Sequence, residues 1–193
     1  MTYRNGTYVA FNGMGTTNPT ESDRKYYALL QKWGNEKSID FKFNDSHKKT
    51  YSVYDTSSNE TLKARLRERM RSSKNFLLVL SQNPQERGML GWEIKEAVNT
   101  YKLPFIVCYT GPYERLNDPF AKKHFWTQAL TECIATKELK AIHIPFKKSV
   151  IGDAISQFSI HKNNLNTPFH TYSASAYEVF EERDRKDIWS FLD

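Results

Sequence analysis

The chain has 193 residues, of which 39% are hydrophobic and 14% aromatic, which is enough for one domain with a sizeable core and argues against disorder. The formal charge of +6, from 28 basic and 22 acidic residues, suits a phosphate-bearing ligand or an acidic partner and permits nucleic acid without demanding it. Two cysteines, Cys108 and Cys133, argue against a disulfide framework or a zinc site; no apolar run has the length of a membrane span, and MTYRNGTYVAF lacks a leader core, so a cytoplasmic protein is expected.

Thr7–Phe11 reads as a first strand that runs into Asn12-Gly13-Met14-Gly15-Thr16-Thr17. Glycines after a first strand let backbone approach a ligand. The dinucleotide fingerprint needs a third glycine, and Asn18 stands at its offset, so a plain loop is the simpler account. Asp23–Trp33 follows as a helix with Tyr26, Leu29, Leu30 and Trp33 on its apolar face, Ser22 as its cap, and Gly34-Asn35 at its end. Ile39–Phe43 reads as a second strand that ends in Asn44-Asp45-Ser46-His47. Two accounts of that cluster stand side by side. Asp45 accepts from ribose hydroxyls, as acidic residues do at the second strand of nucleotide folds, or it forms an Asx-turn beside a solvent-facing His47.

Lys48–Asn59 is polar and aperiodic, and Ser57-Ser58-Asn59-Glu60 has capping-box spacing. Thr61–Ser73 is then a helix with Leu62, Leu66 and Met70 inward and Lys63, Arg65, Arg67, Arg69 and Arg71 outward. Glu68 and the apolar stripe favour a solvated charged face over a nucleic-acid surface.

The centre of the chain is Asn75–Tyr109. Phe76–Leu80 and Phe105–Tyr109 are continuous apolar runs, as expected of strands covered on both faces. Between them Leu90, Ile94, Ala97, Val98 and Tyr101 make one helical stripe. A strand–helix–strand unit of this kind implies a right-handed parallel crossover, with ligands beyond the carboxyl ends of the strands. Ser81 lies at that rim. Glu93 sits roughly 85° from the centre of the buried stripe, at its border, whereas Glu96 sits roughly 145° away, in solvent. A border carboxylate above a strand end can line a cleft; it can also do no more than favour the positive helix N-terminus.

After turn signals at Gly111-Pro112 and Asp118-Pro119, Phe120–Thr136 reads as one helix with Phe125, Ala129, Cys133 and Ile134 inward. Ala141–Pro145 is a fifth strand, with His143 a packed edge histidine, and Val150–Phe158 a closing helix. Five strands alternate with five helices. The expected architecture is an α/β three-layer sandwich with a five-stranded parallel sheet, flavodoxin-like in outline. Residues 1–158 form this domain. Residues 159–193 are an extension, with a charged helix over Ala176–Leu192 that docks on the domain or meets a partner.

The order of TYVAFN, FKFNDSH, the basic helix with RLRERM, LLVLS, WEIKEAV and PFIVCY resembles the TIR-like domains of bacterial antiphage systems. The nearest likeness is to the Thoeris type, in the group described as archaeal TIR-like. It covers roughly Thr7 to Phe158. The resemblance implies an enzyme that takes NAD as substrate with no cofactor or metal, cleaves its nicotinamide–ribose bond, and releases a cyclic ADP-ribose-type signal that acts on a separate effector protein. It implies self-association, and neither membrane nor nucleic acid as partner. The family's glutamate on the helix after the LLVLS-like strand matches Glu93 by the E-I-x-x-A register. Counting four residues from Trp92 selects Glu96 instead. The Trp-Cys pair of many TIR domains is absent. Phe11, Asn12, Asp45, Ser46, His47 and Ser81 match the substrate-binding wall. The rival to this enzyme is a TIR-like module that binds or assembles without chemistry, or a nucleic-acid-associated protein using the basic helix.

Overall fold

The computed structural model describes residues 4–13, 22–36, 59–82 and 89–189. The expected second strand Ile39–Phe43, the cluster Asp45-Ser46-His47 and Gly15 lie outside the described residues.

Within them a four-stranded sheet, rather than the five strands expected, forms from β1 (Gly6–Ala10), β2 (Ser73–Leu80), β3 (Phe105–Tyr109) and β4 (Ala141–Pro145). The spatial order is β1-β2-β3-β4, and every pairing is parallel. Tyr8, Phe76, Phe105 and Ala141 stand in register across the sheet. The first three stack as a row of rings, with centroids 5.1 Å and 4.3 Å apart. Aromatic neighbours at one level fix register as well as burying area.

The continuous apolar runs are explained by burial on both faces. Side chains alternate across a strand, and each set meets its own helices. Phe76, Leu78 and Leu80 join one cluster with α2 (Asn59–Arg71), α3 (Leu90–Asn99) and α4 (Gln128–Ala135). Leu77 and Val79 join the other with α1 (Arg24–Asn35), α5 (Lys148–Gln157) and α6 (Ala174–Trp189). The two clusters make the three layers. Cys108 and Cys133 are free and buried, one in each cluster.

The single helix expected over Phe120–Thr136 is instead a 3₁₀ turn, Phe120–Phe125, and α4, separated by Trp126 and Thr127 in extended conformation. Thr127 Oγ1 accepts from the Leu130 backbone N–H and caps α4. This break turns the Trp126 indole inward, where its N–H donates to Tyr109 Oη at 2.7 Å. A continuous helix would forfeit both the cap and that bond.

The chain after α5 returns along the outer side of β4. Backbone bonds run from Ala141 N to Thr167 O, His170 N to Ala141 O and His143 N to His170 O. His143 is therefore not on an open edge. Tyr177 and Phe180 of α6 are buried against α5 and the sheet, and the Tyr177 hydroxyl donates to the Leu116 carbonyl.

Candidate active site

The parallel sheet brings the ends of β1 and β2 together, and α1 and α3 both start there. Phe11 follows β1 and stacks on Tyr27 of α1 at 5.4 Å. Asn12 is buried, and its carbonyl accepts from the Asp23 N–H at 3.2 Å. Ser81, just past β2, donates its hydroxyl to Asp23 Oδ2 at 2.9 Å. Asp23 thus joins Asn12 and Ser81 at the rim. Its burial raises its carboxyl pKa, which the Ser81 bond, nearby Lys25 and a backbone bond from Asn12 oppose.

Sequence reading missed Asp23. The Ser22-Asp23 pair before a helix suggested a cap at Ser22, and Ser22 Oγ does accept from the Arg24 N–H at 3.3 Å. Asp23, at the N-cap position, makes no side-chain cap bond and turns to Ser81 instead. The signal was an acidic residue at a helix start above a strand end.

Glu93 occupies the first turn of α3. It is half-buried at the border of the apolar stripe, as its spacing predicts. Its Oε1 accepts from the hydroxyl of Tyr8, a fully buried residue of β1. Burial raises the Glu93 carboxyl above its usual range; the Tyr8 bond and the charge of Arg69 on α2 oppose that rise. Burial, and then the neighbouring carboxylate, push the Tyr8 phenol far up, so it stays a donor. The Tyr8 bond occupies one oxygen of Glu93 and orients the other.

Glu96 departs from the expected solvent position. Its side chain is only 16% exposed and pairs with Arg67 Nε at 3.0 Å. Helical spacing puts it away from the apolar stripe, and side chains of α2 reach over that side of α3. Arg67 and Lys63 of α2 also lie over the Trp92 ring, 5.2 Å and 5.9 Å from its centroid. The remaining basic face of α2 is partly neutralised, Lys63 by Glu60 and Arg65 by Glu68.

The structure therefore forms two polar groups, one at this edge and one deeper along the sheet. Asn12, Asp23 and Ser81, with Phe11 beside them, belong to the face that carries α1. Tyr8 and Glu93 belong to the face that carries α3. Asp45, Ser46 and His47 lie outside the described residues. His143 is not at the rim. It is fully buried, accepts at Nδ1 from the Tyr109 hydroxyl at 2.7 Å and donates from Nε2 to the Pro168 carbonyl at 2.8 Å. Burial lowers its pKa from 6.5 to about 4, so it is a neutral link between β3, β4 and the tail. Among the described residues, no group of three or more His, Cys, Asp or Glu could hold a metal ion, and no helix is long and apolar enough to cross a membrane.

A solved structure of a conserved protein from Enterococcus faecalis V583 is similar at 12% identity over 92% of this chain and 98% of its own, with a TM-score of 0.40. The family model described as Thoeris protein ThsB, TIR-like domain, matches residues 8–115. That match is more than half of the chain and takes in Tyr8, Asp23, Ser81 and Glu93. The chain accordingly belongs to the TIR-like ThsB family of Thoeris antiphage defence.

Proposed function

We propose that this TIR-like protein cleaves NAD, with Glu93 as the catalytic carboxylate. The observation that carries the proposal is the bond from Tyr8, in the middle of β1, to Glu93 in the first turn of α3, a helix that starts after the carboxyl end of β2, the side on which ligands of open α/β sheets bind. A carboxylate half-buried at the border of the core and held by a buried donor is a preorganised anion.

The chemistry follows from what that anion stabilises. Departure of nicotinamide leaves a ribosyl centre with oxocarbenium character. A carboxylate beside the ribose hydroxyls holds the sugar and offsets the developing positive charge, as carboxylates do in glycosyl transfer. Tyr8 fixes one oxygen of Glu93, and the second faces the sugar. Water attack then yields ADP-ribose. Attack by a nucleophile of the same molecule, with water excluded, yields a cyclic product, which is the signal this account assigns to a separate effector protein. Phe11 with Tyr27 supplies a stacking wall, and Asn12 and Ser81, tied by Asp23, supply polar groups at the same rim. The reaction is written with NAD as substrate and no added cofactor, in the cytoplasm, by a protein that self-associates.

Glu96 is bound to Arg67, which favours Glu93 over Glu96. The test is release of nicotinamide from NAD by the purified protein, with and without lysate of phage-infected cells. Release that requires the lysate supports a triggered enzyme. No release with either supports a TIR-like module that binds or assembles without turnover.

A further inference from the structure

We propose that the opposite, amino-terminal edge of the sheet carries a second binding site, for a small phosphate-bearing molecule with a flat ring. A cleft of about 380 Å³ opens there, within the range of small-molecule sites, roughly 300–1,000 Å³. Val98 and Tyr101, at the carboxyl end of α3, line it, whereas Glu93 sits in the first turn of that helix and does not.

Topology explains why charge collects at this edge. In a parallel sheet all strands start on one side, and this chain puts a cation near the start of each. Arg4 precedes β1, Lys74 is the second residue of β2, Lys102 precedes β3 and Lys140 precedes β4. Lys162, in the turn after α5, joins them. Arg4, Lys102 and Lys140 line the cleft directly. Lys74 and Lys162 lie behind its wall at Ile160, whose N–H donates to the Lys74 carbonyl. Burial, and then the like charge of Lys162, lower the Lys74 pKa.

Compensation falls short of this charge. The acidic residue lining the cleft is Glu138, bound to Lys102 Nζ at 3.1 Å. The carboxyl ends of α3 and α5 flank the cleft and contribute roughly half a negative charge each. Arg4 is partly engaged, donating from Nε to the Ser73 carbonyl at 2.8 Å. Among the described residues, Lys140 Nζ meets the neutral Asn163 Oδ1, at 3.3 Å. Among the described residues no carboxylate pairs with Arg4, Lys74, Lys140 or Lys162. A monoester phosphate supplies up to two negative charges and several acceptor oxygens. Tyr101, Leu103 and Pro104 form an apolar wall beside the cations, which suits a planar base or ring attached to that phosphate.

The test is a 1H–15N titration of the full chain with inorganic phosphate and with adenosine monophosphate. Saturable shifts at Tyr101–Leu103, Lys140 and Ile160–Leu165 are expected, with the nucleotide tighter than phosphate. A Lys140→Gln, Lys162→Gln double variant should weaken binding at least tenfold, and Lys162→Gln alone, at an exposed turn, should weaken it severalfold. Glu93→Gln should bind as the unaltered chain does, so failure of the active-site account leaves this one standing. Shifts confined to Asn12, Asp23 and Ser81 would overturn the proposal, as would no saturable shift or affinity unchanged in the lysine variants. Tight, steeply salt-dependent binding of an oligonucleotide with no response to the mononucleotide would overturn it in favour of a nucleic-acid surface.

Discussion

The hydroxyl of Tyr8 donates to Oε1 of Glu93 and so joins the interior of β1 to the first turn of α3 across 85 residues of sequence. A hydrogen bond to a charged group contributes about 1.5–3 kcal/mol, and each 1.36 kcal/mol is about tenfold in rate. Tyr8→Phe keeps the ring and its stack on Phe76 while it removes the donor. Nicotinamide release should fall by about ten- to a hundredfold, and Tm by roughly 2–4 °C for each kcal/mol the bond contributes. Steady-state kinetics beside a thermal melt separate the two effects.

The same carboxylate should cost stability. Burial raises the folded pKa of Glu93 above its ordinary value of 4.5. The folded state then binds more protons than the unfolded one between the two values, and stability falls as pH rises through that window. Asp23 acts in the same direction. Glu93→Gln removes the charge and keeps an acceptor for Tyr8. It should be more stable than the unaltered chain near pH 7.5, by roughly 2–4 °C in Tm for each kcal/mol released. The gain should fade below pH 4.5, which melts across a pH series will show.

Glu96 has a structural task, and its removal should read differently. Glu96→Gln breaks the pair with Arg67, which is partly exposed and worth about 1 kcal/mol or less. Nicotinamide release should stay within about twofold of the unaltered protein, and denaturant unfolding should shift slightly.

His143 gives the opposite pH dependence from Glu93. Its folded pKa of about 4 lies below 6.5, so the unfolded chain binds more protons between these values and stability drops as pH falls through them. The contribution at stake is about 3 kcal/mol. His143→Gln should be less stable than the unaltered chain at pH 7.5, by about 1–3 kcal/mol for the disturbed bonds to Tyr109 and Pro168. It should lose less on acidification. The difference between the two unfolding profiles from pH 7 to pH 4 isolates this residue.

Legibility in the sequence followed the range of the forces involved. β2 and β3 were legible because burial on both faces leaves an unbroken apolar run. The border position of Glu93 was legible because it depends only on helical geometry within α3. The pairing of Glu96 was not, because it depends on Arg67, 29 residues away on a helix whose packing angle no local pattern states. Tyr8 read only as part of the first strand, since a strand aromatic does not announce the partner of its hydroxyl. The break at Trp126 depends on Tyr109 of another strand. Asp23 was hidden by its neighbour, because a serine before a helix accounts for a cap without it.

The central claim is that Glu93 is the carboxylate that cleaves NAD. The unaltered chain, Glu93→Gln and Glu96→Gln should each be incubated with NAD in the presence of infected-cell lysate, and the products separated by mass-resolved chromatography. The account predicts nicotinamide with a cyclic or linear ADP-ribose product from the unaltered chain and from Glu96→Gln, and at least a hundredfold less from Glu93→Gln. Full turnover by Glu93→Gln, or turnover abolished only in Glu96→Gln, would contradict it.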